Sequence, residues 1–232
     1  MLCVYGVVRA SHPGVDATGV QGAPTMLVAR GDVAAIASKV DGDLLARRRD
    51  VDAHLTVLED ALAAGDVLPF RFGTVVDDEA AMHTVLKRSA AHFRELLDRL
   101  GGRVQMTVKA VRDDDAAVQT AVTSDDQLRR HVDRWRGSAD WSDRVALGER
   151  VSAAVDALSS RDGQRVLDGI APLAELVAAD AVLPPVVASV ALLMDPDRLS
   201  ELDAAVAQLH DELGSRLRIE YAGPMPAYSF VA

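Results

Sequence analysis

Residues 68–82, "LPFRFGTVVDDEAAM", contain a strand pattern, a bend and the start of a helix within one short stretch. Pro69 removes a backbone donor, and the next three residues alternate between aromatic and charged side chains as in a half-buried strand. Gly73 predicts a bend, and Asp77 is a candidate N-cap for the helical pattern that follows. Arg71 lies between two aromatic residues, so it is a candidate either for holding an anionic ligand or for anchoring the turn.

The segments on either side of this stretch alternate between strand and helix patterns. The order is strand, hairpin, helix, strand, helix and strand, which predicts an α+β fold with helices covering one face of a mostly antiparallel sheet. The arrangement is close to a ferredoxin-like βαββαβ topology with a modified start. We therefore predict a first domain over residues 1–112, with strands at 2–9 and 103–111, a hairpin over 25–40, and helices over 43–64 and 77–100.

The second half of the chain predicts a smaller α+β domain over residues 113–232. A polar connector is followed by a helical region at 125–180, with a break near Asp162-Gly163 and with Trp135 and Trp141 anchoring helices. The apolar run "VVASVALLM" is typical of a buried strand. A strand-helix-strand unit at 186–222 and an extended C-terminal tail at 223–232 complete the domain.

Composition restricts the classes of function. The 232 residues are 49% hydrophobic, which supports a packed core, and a net charge of −10 argues against a general affinity for nucleic acid or an anionic membrane. No signal peptide pattern and no apolar run of about 20 residues is present. The single cysteine, Cys3, has no partner for an internal disulfide, which favours a reducing compartment and a cytoplasmic location.

Motifs that carry chemistry are absent from the sequence. The six histidines lack metal-ligand spacing, and neither a G-x-S-x-G elbow nor a phosphate-binding loop occurs. The acidic run at 113–115 has no converging ligands and is typical of a solvated surface. The sequence therefore predicts no catalytic residue, no cofactor and no metal site.

Two segments together resemble one known family. They are "VLPFRFGTVVDDEAAMHTVL" at 67–86 and "RIEYAGPMPAYSFVA" at 218–232, and they look like the LP-x-RFGT segment and the G-P-x-P-x-Y-x-F tail of the gas vesicle protein GvpF/GvpL family. The similarity covers nearly the whole chain in the expected order and is weakest at about 113–180. Gln105, Met225 and Ala227 depart from residues that are common in the family.

The resemblance implies a non-enzymatic accessory protein of gas vesicles. Such a protein binds the small hydrophobic shell protein GvpA and other gas vesicle accessory proteins and assists assembly in the cytoplasm or at the gas vesicle, without nucleic acid or membrane partners. Two alternatives stay open. One is a minor structural component of the gas vesicle shell, and the other is an enzyme or ligand-binding protein of the dimeric α/β-barrel type.

The two family segments supply the structural or interaction candidates. We expect Arg71 to donate hydrogen bonds to nearby backbone carbonyls or a carboxylate. We expect the tail to lie over the protein's own surface, with its rings covering apolar area, although a tail that detaches to bind the client is the alternative. The candidates are Pro69, Arg71, Phe72, Gly73, Thr74, Gly223, Pro224, Pro226, Tyr228 and Phe230.

Overall fold

The structure, a computed structural model, describes residues 1–42, 44–135 and 141–231, and of Trp135 only the backbone. The chain forms two compact units, Met1–Gln105 with Gly223–Ala232 and Met106–Ala222. Each unit combines helices with an antiparallel sheet, so the predicted α+β class is confirmed.

The first unit is built on a sheet in which the first strand is central. The sheet has the order β2-β3-β1-β4, and β5 also pairs with β1. The hairpin at one edge and the central first strand are ferredoxin-like, while a loop with a short 3-10 turn stands where the first helix of that fold would be. The elements are β1 (Leu2–Arg9), β2 (Thr25–Arg30), β3 (Val33–Lys39), α1 (Arg48–Ala64), β4 (Val67–Pro69), β5 (Val75–Val76) and α2 (Glu79–Leu100).

Short-range sequence signals specify the ends of these elements. Gly65 caps α1 as expected, its amide donating to the carbonyl of Ala61 at 3.0 Å. The N-cap of α2 is Asp78, one residue after the predicted Asp77, because its carboxylate accepts the amide of Ala81 at 2.8 Å. The first amides of a helix have no partner within the helix, so the N-cap is the residue whose side chain can accept hydrogen bonds from them.

The second unit has a sheet of order β7-β8-β6-β9. Its core is formed by apolar side chains of β6, β8, α5 and α6, among them Val108, Leu192 and Leu202. The elements are β6 (Val104–Arg112), α3 (Asp114–Ser124), α4 (Asp126–Trp135), α5 (Trp141–Ile170), β7 (Leu176–Ala179), β8 (Val186–Met194), α6 (Leu199–Leu213) and β9 (Leu217–Met225). The chain passes from one unit to the other within β6 and again within β9.

Several expectations for this half are wrong. The helical region ends at Ile170, and the predicted helical stretch also contains the strand β7. Helix α5 runs through Asp162-Gly163 without the expected break. The glycine serves close packing instead, because a Cβ at position 163 would lie 2.5 Å from the Val187 carbonyl oxygen. Trp141 is exposed and anchors no helix, and the Trp135 side chain lies outside the described residues.

The division into units differs from the predicted boundary after residue 112. It falls between Gln105 and Met106, because β6 pairs with β8 and β9 and not within the first sheet. The tail from Gly223 belongs to the first unit. Whether residues 1–112 and 113–232 act as separate domains stays a prediction.

Candidate functional site

The segment after β4 is a turn and not the predicted continuation of the strand. Pro69 is buried at the end of β4 and pairs with Gly6 of β1. Gly73 has a φ of +87°, a conformation that favours glycine. The amide and the hydroxyl of Thr74 both donate to the carbonyl of Arg71, at 3.2 and 2.8 Å. The backbone therefore closes the turn.

The side chain of Arg71 is exposed at the tip of this turn. It makes no hydrogen bond or ion pair with any residue that the structure describes. The prediction that its guanidinium anchors the turn is wrong, because Thr74 bonds to the carbonyl of Arg71 in that role. The charge of Arg71 is thus presented to solvent.

The two aromatic rings of the turn have different partners. Phe70 faces Phe93 of α2, with 6.2 Å between ring centroids. Phe72 meets the ring of His54 from α1 edge-on, at 5.7 Å and 82°. The ring of Tyr5 in β1 also contacts the ring of His54, with 5.3 Å between the ring centroids. The turn is therefore held against both helices of the first unit.

His54 ties α1 to the turn. The imidazole is buried, and its Nε2 lies 3.1 Å from the carbonyl oxygen of Phe70, so this nitrogen carries the proton and donates. Burial lowers the pKa of His54, and the bond to Phe70 opposes this shift more weakly. A neutral imidazole committed to a backbone carbonyl is a structural link.

The C-terminal tail, residues 223–231, docks on the first unit. Pro226, Ala227 and Phe230 are buried there. The carbonyl of Phe230 accepts a hydrogen bond from Nη2 of Arg99 in α2, at 3.0 Å. The tail is extended through Met225 and then forms a short 3-10 turn at Tyr228–Phe230.

Gln105 is the second polar attachment of the tail. Its Oε1 accepts the amide of Ser229 at 2.9 Å, and its Nε2 lies 3.9 Å from Sδ of Met225. The strand alternation places Gln105 opposite the apolar face, yet the residue is buried. Gln105 and Met225, both noted above as departures from the family pattern, contact each other. Sequence reasoning singled out the two positions but not their contact.

Tyr228 packs against the apolar cluster of the first unit that includes Cys3, Tyr5 and Leu58. Phe72 packs against the same cluster, so the two family segments, which are far apart in the chain, meet one core. Burial, followed by the charge of Glu59, raises the pKa of Tyr228 to about 12. Its hydroxyl is buried without a hydrogen-bond partner among the described residues.

Gly223 and Pro224 determine the backbone conformation at the start of the tail. Gly223 has a φ of +131°, which favours glycine, and the peptide bond between Gly223 and Pro224 is cis. Pro224 is exposed on β9, an edge strand of the second sheet, which is where proline is tolerated within sheets.

The one thiol of the sequence is shielded from solvent. Cys3 is fully buried, and burial raises the pKa of its thiol to about 11. Within residues 1–42, 44–135 and 141–231, no three His, Cys, Asp or Glu side chains are grouped so that they could hold a metal ion. In the same residues, every helix is too short or too polar to cross a membrane.

Known proteins match this chain over nearly its whole length. Residues 1–232 match the family model of the gas vesicle synthesis proteins GvpL/GvpF. The chain belongs to the GvpL/GvpF family. It is 32% identical over 234 residues to gas vesicle protein F of Streptomyces sp. (strain CB03234), with 98% of each chain covered.

Solved structures of GvpL/GvpF relatives have the same fold. The crystal structure of GvpF from Anabaena sp. PCC7120 matches with a TM-score of 0.86 at 26% identity, covering all of this chain and 98% of that one. GvpF from Microcystis aeruginosa matches with a TM-score of 0.80 at 23% identity, again over 100% and 98% of the chains. The resemblance inferred from the two segments is confirmed.

Proposed function

We propose that this protein is a non-enzymatic assembly factor of gas vesicles that binds the small hydrophobic shell protein GvpA. In this proposal it acts in the cytoplasm together with other gas vesicle accessory proteins. Membership of the GvpL/GvpF family supports a role connected with gas vesicles. The binding part of the proposal depends on one structural observation, a run of exposed apolar side chains at the edge of the second sheet.

This apolar edge segment comprises residues 176–183. Leu176 and Val177 of β7 are exposed, and Leu183, in the loop between β7 and β8, is 81% exposed. No other eight-residue stretch of the described chain carries three large exposed apolar side chains. Adjacent exposed apolar side chains are typical of protein-binding surfaces, and a hydrophobic shell subunit needs such a surface before it assembles.

The reactive groups of the first unit have structural roles, which supports a non-enzymatic protein. The Cys3 thiol is buried and its pKa is raised, so the nucleophilic thiolate is disfavoured at neutral pH. His54 donates to a backbone carbonyl and lies between aromatic rings. Both side chains are buried, so neither is accessible to a substrate in this conformation.

Co-expression with GvpA tests the proposal. The full chain carries an affinity tag, and GvpA is measured in the soluble fraction and in the eluate. We expect GvpA to remain soluble and to co-purify. Aggregation of GvpA regardless of this protein would contradict an independent binding role. Retention of this protein in washed, intact vesicles would identify it as a resident component and contradict a transient one.

A further inference from the structure

Strand β7 leaves part of its backbone without a neighbouring strand. It is an edge strand and pairs antiparallel with β8, with Ala178 opposite Ala191. The amide of Asp180 donates to the carbonyl of Ser189 at 2.9 Å, which sets the alternation of inward and outward residues. Val177 and Ala179 therefore direct their N–H and C=O groups towards the open edge.

The other sheet edges are protected in ways that β7 is not. Edge strand β9 carries Arg218, Glu220 and Pro224, the residue types with which proteins block edge pairing. In the first sheet, β4 has only three residues, all buried. Strand β2 is covered at its start, where Thr25 donates its amide to Ala17 and its hydroxyl to Val15. Strand β7, of sequence "LVAA", has neither a charge nor a proline.

Charges at the two ends of β7 indicate what kind of strand fits beside it. Asp180 is exposed directly after the strand, so a partner with Lys or Arg beside its apolar residues is favoured at that end, while the charge of Glu175 at the other end already acts on Arg198. A second copy of β7 fits less well. Antiparallel pairing about the strand centre would bring Glu175 of each copy within one position of Asp180 of the other, and like charges across strands are destabilising.

We infer that β7 receives an extended apolar segment of its partner as a fifth strand of the second sheet. The partner segment hydrogen-bonds to Val177 and Ala179, packs on Leu176 and Leu183, and carries a basic residue at the end that lies beside Asp180. This inference rests on the proposed function, in which GvpA supplies the segment. It adds the site, the mode of binding and the chemistry of the segment.

Two substitutions at the edge test the inference, each in the full-length tagged chain co-expressed with GvpA. Val177→Lys places a charge against the added strand, and Ala179→Pro removes an outward N–H without removing a bond to β8. Val145→Lys is the matched control, because Val145 and Val177 are both 43% exposed and Val145 lies on helix α5. Thermal unfolding of each variant confirms that it folds.

We expect both edge variants to retain at least about tenfold less GvpA than the unsubstituted chain. The control should remain within about twofold, as surface substitutions usually do. If the folded edge variants retain GvpA as well as the control does, strand addition at β7 is wrong while the proposed function stands. If the unsubstituted chain retains no GvpA, both fail.

Hydrogen exchange separates strand addition from contact through side chains alone. In the complex with GvpA, the amides of Val177 and Ala179 should exchange at least about tenfold more slowly than in the free protein. Unchanged exchange at both amides would overturn the inference even if Val177→Lys weakens binding. Dimerisation of the free protein that is abolished by Val177→Lys would show that a second copy occupies the edge, which also overturns it.

Discussion

The ring of Phe230 is expected to supply most of the energy that holds the tail on the first unit. The side chain is only 8% exposed. Its carbonyl accepts a hydrogen bond from Arg99, and the preceding amide of Ser229 donates to Gln105. These backbone bonds persist when only the ring is removed, so Phe230→Ala isolates the apolar contribution.

Removal of a buried phenylalanine ring costs about 3–5 kcal/mol. The ring stands on a short 3-10 turn, which can settle into part of the vacated space, so we expect the lower end, about 3 kcal/mol. For a protein of this size that corresponds to a melting temperature lower by about 6–12 °C. The control Phe230→Leu keeps an apolar side chain in place and should cost less than about 1.5 kcal/mol.

Thermal and urea unfolding of the purified variants measure the loss, and limited proteolysis reports whether the tail is released. A change below about 0.5 kcal/mol for Phe230→Ala, which is typical of an exposed site, would refute the argument. Unchanged stability together with loss of GvpA co-purification would instead favour a tail that binds the client.

Four further results follow from other residues. Gly163→Ala should cost about 1–3 kcal/mol in urea unfolding, because the added Cβ would lie 2.5 Å from the Val187 carbonyl oxygen. Arg71→Ala should change the free energy of unfolding by less than about 0.5 kcal/mol, since the exposed guanidinium holds nothing in the described structure. Burial lowers the pKa of His54 below 6.5, so the folded state binds fewer protons than the unfolded state. The urea midpoint should therefore fall as the pH drops below 6.5, and the His54→Gln variant should lack this fall. Cys3 should react with Ellman's reagent at pH 8 only after unfolding, because the thiol is buried.

Local patterns in the sequence predicted most individual elements correctly. The central strand β1, the hairpin β2–β3 and the helix α6 ending before Gly214 all lie where periodicity and turn residues placed them. These features depend on neighbouring residues, because backbone stereochemistry and apolar spacing act over only a few positions. The same reasoning missed β7, whose four residues are too few to show a period.

The candidate site was only partly accessible from the sequence. The two family segments identified the turn at 70–74 and the tail, but the exposed Arg71 contradicts the role expected for it. Nothing in the sequence indicated that Phe72 and Tyr228 pack on one cluster, or that Gln105 receives the amide of Ser229. These contacts join residues far apart in the chain.

Chain stereochemistry and apolar periodicity thus specified the helices, most strands and the α+β class. The pairing of β6 in the second sheet, the docking of the tail on the first unit and the open edge of β7 arose from tertiary contacts. The physical reason is that strand pairing and docking depend on the shape and polarity of surfaces assembled from distant segments. Such surfaces leave no periodic signal in any one segment.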